Sequence, residues 1–243
     1  MTPYRTVRYM RFMNISAVLS SPSAPDDRAL ASGVDAGSPA AVAGDEEYSP
    51  RQREVLDAVL RLLVEEGDGF SVAAVARAAS CSKETLYKWF GDRDGLLTAT
   101  VRWQASKVRM PKLPSEGLTR ESLSEALSSF AASWLTVISG ELSIALNRAA
   151  VSHAGSNRSR LGEIVLTNGP VAMARRLEPL FLAGRSAGLL TFDEASEAFR
   201  AFFGLVIADT QIRVLLGETG RLDDSEISAR AKAATDRFLT LFG

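Results

Sequence analysis

Lys83, Glu84, Thr85, Tyr87 and Lys88 are the residues whose types and spacing point most directly to a chemistry. Ammonium groups, a carboxylate, a hydroxyl and a phenol crowd one short segment, and together they can bond phosphate oxygens and the hydrogen-bonding edges of bases. A lysine placed there reaches guanine acceptors, and a glutamate takes the amino group of cytosine. Ser82 can cap the helix that carries them, with Leu86 and Phe90 as its inward face, which leaves the polar residues at its front. Arg93 follows as a further phosphate partner.

Covalent and metal chemistry are poorly supported. One His and one Cys cannot assemble the usual clustered metal site, and no Gly-rich phosphate loop follows a strand pattern. Ser82 and Lys83 resemble a nucleophile and a base in type only, because no oxyanion site accompanies them. The carboxylates are spread over many predicted helices without a paired partner. We therefore expect no enzyme activity and no cofactor.

The elements that must position the polar segment can be read on either side of it. Ser71 can cap a helix with Val72, Val75, Ala76 and Ala79 at helical spacing, and Ala73, Ala74, Ala78 and Ala79 permit a close helix crossing. The turn Ser80-Cys81-Ser82 then separates two short helices. Upstream, Pro50 suits a first helical turn after Ser49, and Val55, Leu56, Val59, Leu62 and Leu63 form a stripe ended by Gly67 to Gly69. Downstream, Asp92 can cap a helix to about Lys107 with Leu96, Leu97, Val101 and Val108 inward. This is a helix-turn-helix pattern, in which the second short helix enters the major groove. The whole chain carries a net charge of only -1, yet Arg77, Lys83, Lys88 and Arg93 against Glu84 and Asp92 leave +2 between 71 and 93. Local charge is the relevant measure for a DNA-binding face.

This segment resembles the tetracycline-repressor (TetR/AcrR) family of bacterial regulators, through Ser82 at the cap, Thr85, Leu86, Tyr87 and Phe90 in the reading helix, and Asp92-Arg93-Asp94 with Leu96-Leu97 at the next helix. Ser80 stands where that family's turn usually has glycine, which puts slight strain in the turn, and Cys81 where it has an aliphatic residue. The resemblance implies a homodimer joined through the last two long helices, double-stranded palindromic operator DNA as partner, and an effector pocket within 120 to 190. It places Thr85, Tyr87, Lys88 and Arg93 on phosphates, along with the helix start at Ser71, and Lys83 and Glu84 on base edges.

Pro111 and Pro114 mark a linker to a larger domain with helical patterns near 119 to 138, 140 to 154, 158 to 183, 193 to 217 and 224 to 242. The expected fold is all-α: a helix-turn-helix domain with its connecting helix at 49-110, and a helical effector-binding and dimerisation domain at 115-243. Trp134, Ile138, Leu142, Leu146, His153, Met173, Leu177, Phe181 and Phe203 are the candidate pocket wall, and their character suits a small, largely apolar effector. Asn147 and Arg148 are lesser candidates. Arg175 and Arg176 read either as an anchor for an acidic effector or as a solvated helix face. Phe202, Val206, Phe238 and Leu241 have the spacing to pack two subunits.

Residues 1-48 read as a disordered leader, rich in Ser, Ala, Gly, Pro and Asp from 16 onward. Tyr4, Arg5, Arg8, Tyr9, Arg11 and Phe12 form either a basic aromatic arm for DNA or residues ahead of a later true start at Met10 or Met13. No run is long and apolar enough for a membrane span, and a single cysteine fits a reducing compartment, so a cytoplasmic location is expected. The expected function is a ligand-responsive repressor of a nearby promoter. An activator of the same fold and a helical ligand-binding or protein-interaction module without operator binding are the alternatives.

Overall fold

The computed structural model describes residues 48–111, 117–152, 154, 159–218 and 222–243. The leader with its basic aromatic cluster and the pocket candidate His153 lie outside the described residues. Among the described residues are eleven α-helices and no strand. None of these helices is by itself long and apolar enough to cross a membrane.

Helix α1 (Pro50–Glu66) starts at Ser49, whose hydroxyl accepts from the Gln52 amide while the Gln52 side chain accepts from the Ser49 amide. This reciprocal cap satisfies two otherwise orphan donors. Val55, Leu56, Val59, Leu60 and Leu63 bury its inward face almost completely, each contributing about 1.5–3 kcal/mol. Helices α2 (Val72–Ala78) and α3 (Lys83–Phe90) are capped by Ser71 and Ser82, which accept from the Ala74 and Thr85 amides at 3.1 Å. Helix α4 (Arg93–Ser106) starts at Asp92, whose carboxylate accepts from Gly95. A Cβ at Gly95 would stand 1.9 Å from the Phe90 carbonyl oxygen. Glycine is what lets the end of α3 lie directly against α4.

The second half contains α5 (Arg120–Ile138), α6 (Glu141–Ser152), α7 (Leu161–Leu166), α8 (Ala172–Ser186), α9 (Ala195–Ile207), α10 (Thr210–Leu215) and α11 (Asp224–Phe242). Two expected helices are broken. A π-helical turn, Thr167–Val171, interrupts the run from 158 to 183 at Pro170, because proline lacks an amide hydrogen and crowds the preceding turn. The run from 193 to 217 breaks at Ala208, whose φ of 44° is strained for a residue with a Cβ.

Two apolar cores result. One joins α1 to α4 and extends to Leu146, Ala149, Ala150, Leu161 and Ile164 of α6 and α7. The other gathers α5, α8, α9 and α11 around Phe130, Phe181, Phe202 and Phe238, with Phe202 and Phe238 rings 5.1 Å apart. The boundary expected between 110 and 115 is therefore crossed by packing, and the described residues form one compact unit. Phe202, Val206 and Phe238 are buried within this single chain, which corrects their expected place between subunits, while Leu241 is exposed. They fill a core that α5 and α8 close from the same chain.

Candidate nucleic-acid interface and buried cavity

The polar segment is presented as its spacing requires. Leu86 is 2% exposed and anchors α3 in the core, while Ser82, Lys83, Glu84, Tyr87 and Lys88 are exposed and Thr85 is half-buried. Ser71 is exposed at the start of α2, and Arg93 is half-buried with its guanidinium 5.3 Å from the centre of the Phe70 ring. The hydroxyls of Ser71 and Ser82 are committed to capping. Hydrogen bonds from its own backbone amide and the Ser82 hydroxyl hold the Glu84 carboxyl below its ordinary range, so it is a carboxylate at neutral pH. Ala73, Ala76, Arg77, Ser80, Cys81, Ser82 and Lys83 line a shallow open depression between α2 and α3.

Ser80 has φ 50°, the left-handed conformation that glycine adopts without a steric penalty. The turn is held from outside by Arg51 of α1, whose guanidinium donates to the carbonyl oxygens of Ala79 and, at 3.0 Å, Ser80. Sequence reasoning missed Arg51, since nothing local pairs it with a turn so distant along the chain.

Behind α4 lies a cavity of about 80 Å³. Of the expected wall, Trp134, Ile138, Leu146, Met173 and Phe203 line it, joined by Val137. Leu142 packs against the first core, and Leu177 and Phe181 are buried in the second; none of the three reaches the cavity. Their apolar character matched the wall, but their helix faces turn them elsewhere. Lining residues that the sequence did not reveal include Gln104 of α4, Val108 just beyond its end, Ser143 of α6, Gly169 and Pro170 of the π-turn, and Gln211 of α10. Among the described residues, no ionisable side chain lines the cavity.

Its polar groups form a track. The Gln104 amide nitrogen donates to the Ser143 hydroxyl at 2.8 Å, Asn147 donates to the Ser143 carbonyl at 2.8 Å, and Gln211 donates to the Asn147 side-chain oxygen at 3.3 Å. Gln104 is 7% exposed, and its Oε1 has no hydrogen-bond partner among the described residues.

Helix α4 is gripped from every side near its C-terminus. Asp57 of α1 accepts from the Trp103 indole at 2.8 Å and from Lys107 at 3.3 Å. Arg102 donates to Asn168 of the π-turn at 3.0 Å. Arg176 of α8 donates to the carbonyls of Ala105 and Val108 at 3.0 and 2.7 Å, a cation on the negative end of the helix. Burial pulls its pKa below the ordinary arginine value, yet a guanidinium stays charged in such a place. Arg176 is thus neither a solvated face nor a cavity group, whereas Arg175 is exposed. Arg148 is likewise structural and donates to the Val214 carbonyl at 2.7 Å, at the end of α10.

Comparison with known proteins places these features in a group. Residues 55–100 match the model of "Bacterial regulatory proteins, tetR family" and residues 125–243 that of "AefR-like transcriptional repressor, C-terminal domain". A crystal structure of a TetR transcriptional regulator from Agrobacterium tumefaciens is 48% identical, with a TM-score of 0.70, over 81% of this chain and 96% of that one. The flavonoid-responsive regulator FrrA is 29% identical with a TM-score of 0.60, over 79% of this chain and 96% of its own. The transcriptional regulator BetI of Paraburkholderia phytofirmans is 39% identical over 66 residues, 24% of this chain; the match spans 34% of that relative's length.

Proposed function

The chain belongs to the TetR family of bacterial regulatory proteins, and from that premise we propose that it is a homodimeric repressor of a nearby promoter, released from its operator when a small, largely apolar molecule occupies the cavity behind α4. A regulator of this family acts by binding and is not an enzyme. Lys83 and Glu84 reach base edges from the exposed front of α3, and Thr85, Tyr87, Lys88 and Arg93 meet phosphates beside them. An operator partner places the protein in the cytoplasm.

The observation that carries this reading is the double duty of α4. Its first turn lies against α3 at Gly95, and its last turns supply Val101, Gln104 and Ala105 to the cavity wall, which Val108 continues just past the helix end. A space of about 80 Å³ is well below the roughly 300 Å³ at which ordinary ligand pockets begin. An occupant of ordinary size has to displace a wall, and α4 is the wall that carries the reading head. Such a molecule shifts the equilibrium by as much as it prefers the widened state. The likeness to a regulator described as flavonoid-responsive supports control by a small molecule.

Pairing of subunits falls to the outer face of α9, α10 and the end of α11, where Gly204, Ala208, Ile212, Leu216 and Leu241 are exposed. A Cβ at Gly204 would meet nothing within 4 Å, so no contact within the chain calls for a glycine there, although glycine weakens a helix by about 1 kcal/mol. A close approach by a second copy gives it a reason.

Selection of genomic fragments bound by the purified protein tests the reading. A palindromic duplex near its own gene is the expected product, and deletion of the gene should raise transcription from that promoter. A fall in transcription would make the protein an activator, and failure to recover any sequence-specific duplex would favour a module without operator binding.

A further inference from the structure

The cavity behind α4 contains one feature that apolar packing does not explain. Gln104 is more than nine-tenths buried, half of its side-chain amide is held by Ser143, and the other half, Oε1, has no partner among the described residues. An unmet buried acceptor is costly, and a hydrophobic residue of similar size would avoid that cost. The same wall has an aromatic part, with Trp134 and Phe203 ring centroids 5.2 Å apart and Phe199 stacked behind on Trp134 at 5.9 Å. With no ionisable group among the described residues of the wall, a charged ligand would meet no counter-charge from them.

Resting on the reading of this cavity as the effector site, we propose that its ligand is a neutral, flat aromatic compound bearing a hydroxyl group, and that Gln104 Oε1 selects it by accepting the hydroxyl hydrogen. The aromatic face of the ligand lies against Trp134 and Phe203, where offset or edge contacts between rings are favourable. The hydroxyl satisfies the Gln104 acceptor, which has no partner among the described residues. Ser143 fixes the orientation of the Gln104 amide by accepting from its nitrogen, and Asn147 and Gln211 extend the same polar edge toward α10. A site with a buried polar group rejects an analogue lacking the matching group, because binding that analogue leaves the group unpaired.

Equilibrium dialysis of the full chain with three probes, 2-naphthol, naphthalene and 2-methoxynaphthalene, tests the proposal. The probes share a ring system and differ in whether they can donate a hydrogen bond. 2-Naphthol is expected to bind about tenfold or more tightly than either of the others, after correction for partitioning into a nonspecific carrier protein. In Gln104→Met, a change of nearly conserved volume, that preference should disappear while naphthalene binding is retained. Equal binding of all three probes to the wild-type chain overturns the proposal, as does binding of none, and both results are independent of whether the variant folds. Persistence of the 2-naphthol preference in a folded Gln104→Met variant removes Gln104 as the selecting residue. Operator binding on the same preparation is read separately: a chain that selects 2-naphthol but binds no operator defeats the proposed regulatory function and leaves the ligand chemistry standing.

Discussion

Lys83 and Lys88 occupy the same exposed helix and have different expected roles. Lys88→Ala should weaken binding nearly equally on every duplex, with a shallower salt dependence, because a phosphate contact carries no sequence information. Lys83→Ala should also relax preference at one base pair by about 1–3 kcal/mol, the size of a bidentate base contact. Binding curves on operator variants at several salt concentrations check both, and equal loss on all sequences for Lys83→Ala would move that residue to the phosphate class. Backbone conformation gives a second pair of residue-level tests. Ser80 and Ala208 have φ of 50° and 44°, so Ser80→Gly and Ala208→Gly should each raise stability by up to about 1 kcal/mol in denaturant melts, where relief of the steric penalty exceeds the entropic cost of glycine. Destabilisation by either change would show that the side chain contributes more than the conformation costs.

At the scale of the element, α4 behaves as a lever only if its end is held. Arg176→Ala should lower stability by about 1–3 kcal/mol through loss of two charge-assisted hydrogen bonds to the Ala105 and Val108 carbonyls. It should also alter how ligand occupancy changes operator affinity, while affinity without ligand changes less. Thermal melts and operator titrations with and without 2-naphthol separate those effects. Helix α11 offers a pH test. Asp223 caps it, and hydrogen bonds chiefly from the Glu226 amide and the Ser225 hydroxyl hold its pKa below the ordinary value. A carboxylate with a depressed folded-state pKa contributes stability that is present above its unfolded value, about 3.9, and lost as pH falls through the folded one. Asp223→Ser keeps a neutral cap, so the wild-type advantage over that variant should shrink on acidification below about pH 4. An advantage independent of pH would mean that the charge of Asp223 contributes nothing to the cap.

For the whole molecule, burial separates residues that build one chain from those available to a second. Ile212 and Leu216 are 59% and 82% exposed, whereas Phe238 is fully buried. Joint replacement Ile212→Glu and Leu216→Glu should give a helical monomer with much weaker operator binding, since a single head loses the linked second half-site. Gly204→Arg should do the same and leave helix content equal or higher, because arginine favours a helix where glycine does not. Phe238→Glu should instead unfold the second core. Sedimentation with circular dichroism distinguishes these outcomes, and an intact dimer in both surface variants would place the interface elsewhere.

The reading helix was legible in sequence because its signals are local. Ser71, Ser82 and Asp92 bond amides three residues ahead, and Leu86 lies on the face that helical spacing assigns to the core. The same reasoning located α1, α5 and α11 closely, since their caps and apolar stripes are also short-range features. The cavity was only partly legible. Composition pointed to Trp134, Met173 and Phe203 but equally to Leu177 and Phe181, which differ in facing rather than in type. Tertiary structure alone decided that Gln104 meets Ser143 thirty-nine residues away, that Arg51 holds a turn twenty-eight residues away, and that Arg176 caps a helix from a different part of the chain. It also decided that Phe202 and Phe238 face inward. The sequence by itself determined where these helices begin and which polar residues stand at the front of α3, because capping and periodicity act within a few residues. Which polar group was left without a protein partner in a buried space was determined only when distant helices packed around it.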